Sequence, residues 1–374
     1  MSLTRTVGSA VSTNVRTDIL LIPEDAKSMQ RELWAIRVGF WLLGTILAIV
    51  QAWSYRYQVT ADAIAYLDLS DAVFPNTSWH HIISGVWSPL YPLLLGLGRL
   101  VKPARYNESV TAHWINIPIF LFAFAGFEFF LRSFVDSDDS SDSKYDGVLL
   151  PQWAYLVLGY TLFLWASITQ ITLESLRPDM LMAGFLFIAM GLLLQLKKGR
   201  ATWGRFVGLG VILGLGYLAK EPMLPMGAIL LTISVLLTPE WRRSLPKVFV
   251  ALLLLLAIAS FYFIPLSKDR GYFTLGESGS FNYLFHVNHA GPVWYLQDVG
   301  SGTGKLLYTP TKIFDAPATF AFSSAQMTTH PLRLDPAYWA QGAKPRFHLR
   351  DDVVFRSRLS RLAFGTILKI AGLT

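Results

Sequence analysis

The chain has 374 residues, of which 53% are apolar, with a net charge of +7 and no cysteine. The apolar residues form runs as long as a membrane span, so the composition excludes a single soluble domain. The lack of cysteine excludes disulfides, a thiolate nucleophile and cysteine-bound metal. Lys and Arg of cytoplasmic loops explain the positive charge, and no nucleic-acid partner is expected.

The first 33 residues are polar and carry charges of both signs. The first apolar run, residues 34–53, is followed by no A-x-A-like cleavage site. This pattern is typical of a retained signal anchor, not of a signal peptide that is removed. Residues 1–33 are therefore predicted to form a cytoplasmic N-terminal tail.

Five apolar runs are long enough to cross a membrane as helices. Together with a further, interrupted apolar stretch at 206–238, they predict an all-α polytopic membrane protein with about seven transmembrane helices. The five runs are residues 34–53, 111–131, 152–171, 180–196 and 248–266.

Basic residues predict the orientation of these spans. The sequences "KKGRATWGR" at 197–205 and "PEWRRSLPK" at 239–247 are typical of cytoplasmic loops. The residues between them must then cross an even number of times, which a hairpin of two short helices turning at residues 220–222 achieves. Residues 54–110 are accordingly expected outside as the first external loop, with the N-terminus inside.

Residues 87–101 of that loop are apolar, but they are few and include two prolines, so they suit a juxtamembrane element better than a span. Residues 34–266 thus form the predicted membrane module. Residues 267–358 are polar and rich in Gly, Pro and aromatics, and predict an extracytoplasmic segment of short strands and turns. Residues 359–374 are either an amphipathic helix or the start of a truncated span.

The stretch "TADAIAYLDLSDAV", residues 60–73, follows the first span and carries three carboxylates. On a helix, Asp62 shares a face with Tyr66, whereas Asp68 and Asp71 point away and are typical of a solvated surface. Asp62 has two interpretations, an N-cap that begins this helix or an externally facing functional carboxylate. This stretch alone leaves both open.

Two further turns on the predicted outer face carry charge. In "LESLRPDM", Arg177 either pairs with Glu174 or takes part in a site, and Asp179 follows a helix-breaking proline at the positive end of the next helix. In "GYLAKEPM", Lys220 either extends its ammonium group to the interface or joins the same site, with Glu221 beside it.

Together these groups suit sugar transfer from a lipid phosphate. Lys220 and Arg177 provide fixed cations for a phosphate near the membrane surface. A hydroxyl acceptor needs a base, and Asp62 is the candidate. Positive charge beside the departing phosphate stabilises the developing anion.

The order of these elements resembles that of a known family. One span is followed by D-x-x-x-Y in an external helix, by "WSPLYPLLL" at 87–95, by an R-P-D element before the fourth span and by a "GYLAKEP" turn. This order is similar to that of the GT-C membrane glycosyltransferases, in particular the protein O-mannosyltransferases and aminoarabinose transferases. The similarity covers roughly residues 34–266 and implies the seven conserved helices of that fold.

The resemblance implies a polyprenyl- or dolichyl-phosphate sugar donor and an inverting transfer to an unknown lipid, glycan or protein acceptor. Asp62 matches the catalytic acid of the first external loop of the family. Lys220 matches a lysine near the lipid phosphate, and Arg177, Tyr66 and Glu221 are predicted to bind substrate with it.

Asp179 falls where the family often has a second acid. Together with Glu174, it is predicted as a candidate ligand of a divalent metal ion. Two departures from the family pattern stand out. Many relatives carry Asp-Glu at the first site, whereas Ala63 follows Asp62 here, and relatives continue through further spans beyond the external segment.

The external segment, with "YTPTKIFDAPATFAF", resembles extracytoplasmic parts of uncharacterised bacterial proteins, so a bacterial cytoplasmic membrane is expected. Two other functions stay open. A transporter or flippase for lipid-linked sugars uses the same cavity and cations without a base. A non-catalytic membrane scaffold instead binds a partner through its external segment.

Overall fold

A computed structural model gives the architecture of the chain. Residues 1–23 of the predicted tail and residues 371–374 of the predicted C-terminal helix lie outside the part that the structure describes. The described ranges are 24–73, 82–101, 107–138, 150–238, 240–288, 311–321, 345–347 and 349–370.

The described part of the chain is mostly helical. A π-helical turn, Ala166–Ile171, extends α5, and strands β1 (Thr311–Asp315) and β2 (Ala318–Ala321) pair antiparallel. The α-helices, in chain order, are α1 (Glu24–Ser54), α2 (Ala61–Val73), α3 (Leu90–Val101), α4 (Glu108–Asp138), α5 (Gln152–Trp165), α6 (Asp179–Lys197), α7 (Trp203–Ala219), α8 (Met223–Leu236), α9 (Trp241–Arg270), α10 (Ser278–His286) and α11 (Leu349–Ile370).

Five helices are long and apolar enough to cross a membrane: α1, α4, α5 with its π-helical turn, α6 and α9. They contain the five predicted apolar runs, so this part of the prediction is confirmed. An α-helix is suited to the bilayer because it satisfies its peptide N–H and C=O groups internally, where no water can do so. The protein is therefore membrane-embedded.

Helices α7 and α8 form the hairpin predicted at 206–238, and its turn lies at residues 220–222. They have 17 and 14 residues, fewer than the roughly 20 of a usual span. The total of seven spans and the orientation of the chain therefore stay predictions. Helix α3, with 12 residues, is short as expected and packs against α2 and α4.

Two helix pairs, α4 with α6 and α7 with α9, pack closely at glycines. A Cβ atom at Gly126 would lie 2.8 Å from the backbone oxygen of Gly184, and one at Gly210 would lie 2.4 Å from that of Ala251. Small residues are typical of such interfaces, because helix association in a membrane depends on close van der Waals packing. These contacts fix α6 and α7, whose ends carry predicted site residues.

An aromatic cluster ties α1 and α5 to α4. Phe124 stacks on Trp41 of α1 and on Phe163 of α5, with ring centroids 4.4 and 4.8 Å apart. Phe127 stacks on the same Phe163 ring at 4.9 Å. Such pairs contribute about 0.5–1.5 kcal/mol beyond the burial of their surface. Helix α1, although peripheral, is therefore firmly attached.

Helix α9 continues beyond the predicted end of its span, as far as Arg270. Gly271, with φ of 72°, ends it in the left-handed conformation typical of helix C-termini. Residues 271–277 then lead into α10. The strands β1 and β2 agree with the expectation of short strands in the external segment, and α11 begins before the boundary predicted at 359.

Because α7 packs on α9, replacing two different glycines of α7 by alanine should have opposite effects on thermal stability. Gly210→Ala would place a methyl group within 2.9 Å of three backbone atoms of Ala251, so the helices must separate. We expect a loss of about 1–3 kcal/mol, as is usual for overpacking, seen as a lower melting temperature of the purified protein in detergent.

Gly208→Ala is the matched control for this measurement. The nearest atom to its new methyl group is Leu192 Cδ1 at 3.8 Å, an ordinary contact. Because alanine favours a helix over glycine by about 0.5–1 kcal/mol, this variant should melt at or above the wild-type temperature. Equal destabilisation by the two substitutions would contradict the close packing of α7 on α9.

Candidate functional site

Helix α2 begins one residue before Asp62. The Oγ1 atom of Thr60 accepts the backbone N–H of Ala63 at 3.3 Å, so Thr60 is the N-cap. The N-cap interpretation of Asp62 is therefore wrong, and its half-buried side chain belongs to the first turn of the helix. Asp71 is exposed, as expected for the solvated side of α2, whereas Asp68 is half-buried.

Tyr66 is the centre of the candidate site. Its buried ring meets the rings of Trp87 and Tyr91 edge to face, with centroids 5.0 and 5.1 Å away. The Tyr91 hydroxyl in turn donates to Oδ1 of Asn116 at 2.8 Å. Because these residues belong to α2, α3, α4 and the segment before α3, the aromatic contact joins four parts of the chain.

Charged side chains of three elements lie within electrostatic range of the Tyr66 hydroxyl. Burial raises the pKa of Tyr66 well above its ordinary value, and the Tyr91 side chain acts in the same direction. The carboxylates of Asp179 and Asp62 raise it further, whereas the Arg177 guanidinium lowers it. The phenol therefore stays neutral. The structure thus brings Asp62, Tyr66, Arg177 and Asp179 together.

The segment between α5 and α6, residues 172–178, carries Arg177 and is clamped by side chains from α1 and α4. The side-chain amide of Gln51 donates to the carbonyl of Ile168 and accepts the N–H of Leu173, both at 2.9 Å. Between these two bonds Thr172 has φ of 61°, which side-chain-bearing residues rarely adopt. The Gln51 clamp supports that conformation.

Helix α4 supplies the rest of this clamp. The imidazole of His113, which is fully buried, lies 2.7 Å from the carbonyl oxygen of Ser109 and 3.1 Å from that of Glu174. One turn further along, Nδ2 of Asn116 donates to the carbonyl of Ser175 at 3.5 Å. The backbone before Arg177 is thus held by buried polar side chains.

An ion pair joins the start of α6 to the turn after α7. Nζ of Lys220 donates to Oδ1 of Asp179 at 2.5 Å, and the two side chains are 36% and 34% exposed. Lys220 is therefore held by a carboxylate and does not simply extend to the interface. Arg177 is exposed, and within the described ranges it forms no ion pair with Glu174.

Glu221, the next residue, contacts a different part of the chain, the start of α10. A Cβ atom at Gly276 would lie 1.9 Å from Oε1 of Glu221, and Gly276 has φ of 141°. That oxygen is buried and has no hydrogen-bond partner among the described residues. Burial raises the pKa of Glu221 to about 8, although the backbone amides at the start of α10 lower it. These contacts show that Glu221 docks the segment between α9 and α10, which belongs to the predicted external segment.

The segment 271–277 also docks on the loop before α3. The backbone N–H of Glu277 donates to the carbonyl of Gly85 at 2.7 Å, and its carboxylate accepts the Tyr272 hydroxyl at 2.6 Å. Gly85 is two residues from Trp87, whose ring contacts Tyr66. The segment 271–277 and the candidate site are therefore connected through a short stretch of backbone.

An apolar cavity of about 520 Å³ opens beside the charged residues, between α3, α4, α6 and α7. It is lined only by apolar side chains and glycine. Leu181, which lines it, follows Asp179 by two residues, and Leu215 precedes Lys220 by five. The cavity and the ion pair therefore both involve the start of α6 and the end of α7.

The predicted metal ligands, Asp179 and Glu174, are not part of a larger cluster. No group of three or more His, Asp or Glu side chains suited to a metal ion is found among the residues that the structure describes. Asp179 binds the Lys220 ammonium instead. Metal binding at this site stays a prediction.

The residues that position the site were not predicted from the sequence. Gln51, His113 and Asn116 lie within or at the edge of apolar runs, where isolated polar residues attract little notice. One signal was present: His113 and Asn116 are three residues apart, so they share a face of α4. Polar residues on one face of a membrane helix are usually retained for a partner or a function.

The fold and the site together define a helical membrane protein with a charged cluster beside an apolar cavity. Comparison with known proteins takes this no further, since no family model, no curated protein and no solved structure matches the chain. The similarity to GT-C glycosyltransferases rests on the order of sequence elements and stays a prediction.

The raised pKa of Glu221 predicts a pH-dependent stability. Its carboxyl keeps its proton in the folded state up to about pH 8, whereas the unfolded chain loses it near 4.5, so stability falls as the pH rises between these values. Glu221→Gln removes this titration. We expect the variant to melt higher than the wild type at pH 8.5, with little difference at pH 4.5.

Thermal unfolding in detergent at both pH values measures this effect. Glu240→Gln changes a carboxyl that is 66% exposed and serves as the matched control. A Glu221→Gln effect of the same size at both pH values would show that the lost contact, and not the titration, is responsible.

The contact between Gly276 and Glu221 predicts a further stability difference. Gly276→Ala introduces a Cβ atom into the position of Oε1 and is strained at φ of 141°, so we expect a loss of about 1–3 kcal/mol in thermal unfolding. Gly279→Ala, in the first turn of α10, meets no atom within 4 Å and should be neutral. A neutral Gly276→Ala would show that the segment does not dock as described.

Proposed function

We propose that this protein transfers a sugar from a polyprenyl-phosphate donor to a hydroxyl acceptor at the outer face of the membrane. The observation that carries the proposal is the charged cluster around Tyr66 lying beside an apolar cavity. A donor of this class joins an anionic head to a long apolar tail. It needs both kinds of surface at one place.

The apolar cavity suits the part of the tail nearest the phosphate. Its volume, about 520 Å³, lies in the usual range of ligand pockets, about 300–1,000 Å³. A tail in contact with Leu181 and Leu215 lies within a turn or two of the ion pair between Lys220 and Asp179. The phosphate head of the donor can then reach the charged cluster while its tail stays in the apolar cavity.

Lys220 and Arg177 are the proposed ligands of the donor phosphate. An ammonium group has three N–H donors, and Asp179 uses one of those of Lys220, which leaves two for phosphate oxygens. The exposed guanidinium of Arg177 can donate two parallel hydrogen bonds. Asp179 orients Lys220 in this arrangement, and no step of the proposed reaction passes through a metal ion.

In the proposed transfer, the Asp62 carboxylate takes the proton of the acceptor hydroxyl. The acceptor oxygen attacks the anomeric carbon of the sugar from the face opposite the phosphate. As the new C–O bond forms, the bond from that carbon to the phosphate oxygen breaks and the configuration inverts. The polyprenyl phosphate leaves with the electron pair, and Lys220 and Arg177 stabilise its added negative charge.

We assign the chain to a GT-C-like architecture with seven spans and a cytoplasmic N-terminus, in a bacterial cytoplasmic membrane. The five long apolar helices and the shorter helices α7 and α8 support this count. The basic loops on either side of the α7–α8 hairpin support the orientation. In this arrangement the Tyr66 cluster lies on the outer side, where lipid-linked sugars of this class are used.

Asp62→Asn tests the proposed base. Purified protein in lipid nanodiscs is given a panel of radiolabelled polyprenyl-phosphate sugars, and released or transferred sugar is counted. General-base catalysis typically contributes about 10²–10⁴-fold, so we expect the variant to lose at least about 100-fold in rate. Asp71→Asn, the same change on the exposed side of α2, should keep the wild-type rate.

Other results would replace the proposal in defined ways. Turnover by Asp62→Asn at the rate of Asp71→Asn would remove Asp62 from the chemistry. Movement of the labelled donor across vesicles without any sugar release would favour a transporter. Neither release nor movement, with the external segment still binding a partner, would favour a scaffold.

A further inference from the structure

A second cavity, of about 350 Å³ and lined by charged side chains, lies between α1 and α4. Arg37 and Leu42 of α1 line it, together with Glu128 and Arg132 of α4. Arg37 precedes the last residue of α1 by 17 residues, which is about 25 Å along the helix axis. Because Gln51, near the other end of α1, bonds the segment that carries Arg177, this cavity lies near the membrane face opposite the Tyr66 cluster, across a hydrocarbon core of about 30 Å.

The charges around this cavity do not balance. Glu128 is buried, its Oε2 accepts the Trp41 indole N–H at 2.5 Å, and its Oε1 accepts the Arg132 guanidinium. Nε of Arg37 lies 4.0 Å from the same Oε1, too far for a hydrogen bond. Two cations therefore share one carboxylate whose two oxygens are already engaged.

The guanidinium of Arg37 is incompletely satisfied. Its Nε is buried without a hydrogen-bond partner among the described residues. The hydroxyl of Tyr160 on α5 is also buried; it interacts with Glu128 and Arg132 and has a weak side-chain hydrogen-bond contact with Arg37. Buried polar atoms are rarely unpaired in native proteins, so an anionic acceptor from outside the chain fits beside Arg37.

We propose that this cavity binds the phosphate of an anionic phospholipid in the leaflet opposite the Tyr66 cluster. Arg37 and Arg132 donate to the phosphate oxygens, and the net positive charge favours an anionic headgroup. Trp34, at the rim, is 65% exposed and suits the headgroup level, where tryptophan is enriched. An acyl chain then follows Leu42, which is 60% exposed.

The outward surface of α1 favours a lipid over a free anion. Only 17% of the most apolar 18-residue stretch of α1 is buried inside the structure, and the exposed residues of this helix are large and apolar. An occupant of the cavity therefore meets cations at one end and exposed apolar side chains at the other. A phospholipid matches both, whereas inorganic phosphate or glycerol phosphate matches only the first.

Lipid retention by the purified full chain tests the proposal. The protein is delipidated in detergent, mixed with phosphatidylglycerol and phosphatidylcholine of identical acyl chains, and retained lipid is counted by native mass spectrometry. We expect the wild type to retain about ten times more phosphatidylglycerol than phosphatidylcholine. Arg37→Gln should lose most of that preference, because hydrogen bonds to charged groups are stronger than those between neutral groups.

Arg243→Gln is the matched control, since this arginine is 80% exposed and pairs with Glu240 outside the cavity. It should keep the preference of the wild type. If Arg37→Gln does not fold, Leu42→Trp keeps every charge and fills the path of the acyl chain, and it should reduce the preference to a similar extent. Both variants are checked for a single species by gel filtration.

Three outcomes would overturn the proposal: no preference in the wild type, equal behaviour of Arg37→Gln and Arg243→Gln, or full displacement of the lipid by soluble glycerol phosphate at equal concentration. The last would make this a site for a free anion. The cavity shares no residue with the proposed sugar-transfer site. Lipid retention can therefore fail while sugar transfer holds, and the reverse.

Discussion

The candidate site depends on side-chain hydrogen bonds to the non-helical segment between α5 and α6. A helix satisfies its own peptide groups, but a break at the end of an apolar bundle leaves carbonyls and amides without partners. Gln51, His113 and Asn116 supply those partners and hold residues 172–178 in one conformation. The residue that offers a cation there, Arg177, is positioned by this clamp and not by its own packing.

The ion pair between Lys220 and Asp179 has a different role from that clamp. Both side chains are about one-third exposed, and pairs of this kind contribute only about 0–1 kcal/mol to stability. The ion pair instead positions the Lys220 ammonium group between the start of α6 and the α7–α8 turn. Tyr66, neutral and enclosed by Trp87 and Tyr91, supports the opposite side of the same cluster. The apolar contacts of Tyr66 thus stabilise the cluster, whereas the weak ion pair positions a charged group within it.

The long helices could be predicted from the sequence because a span of about 20 apolar residues is a local signal. The site could be predicted only in part. Asp179 and Lys220 were both expected to lie on the outer face. Their ion pair could not be predicted, because the two residues are 41 positions apart and no local sequence pattern links them. Thr60 and Asp62 are both good N-cap types, and only the observed start of α2 decides between them. The clamp from α4 was missed because its polar residues stand inside an apolar run.

The contact between Gly276 and Glu221 also has an evolutionary consequence. Residue 221 belongs to the turn between α7 and α8, and residue 276 to the segment between α9 and α10, yet the Glu221 carboxyl oxygen occupies the volume that any side chain at 276 would need. Homologues that keep an acid at 221 should therefore keep glycine at 276, and those with a side chain at 276 should carry a smaller residue at 221. Such paired variation in an alignment would trace how the segment after α9 is docked on the α7–α8 turn.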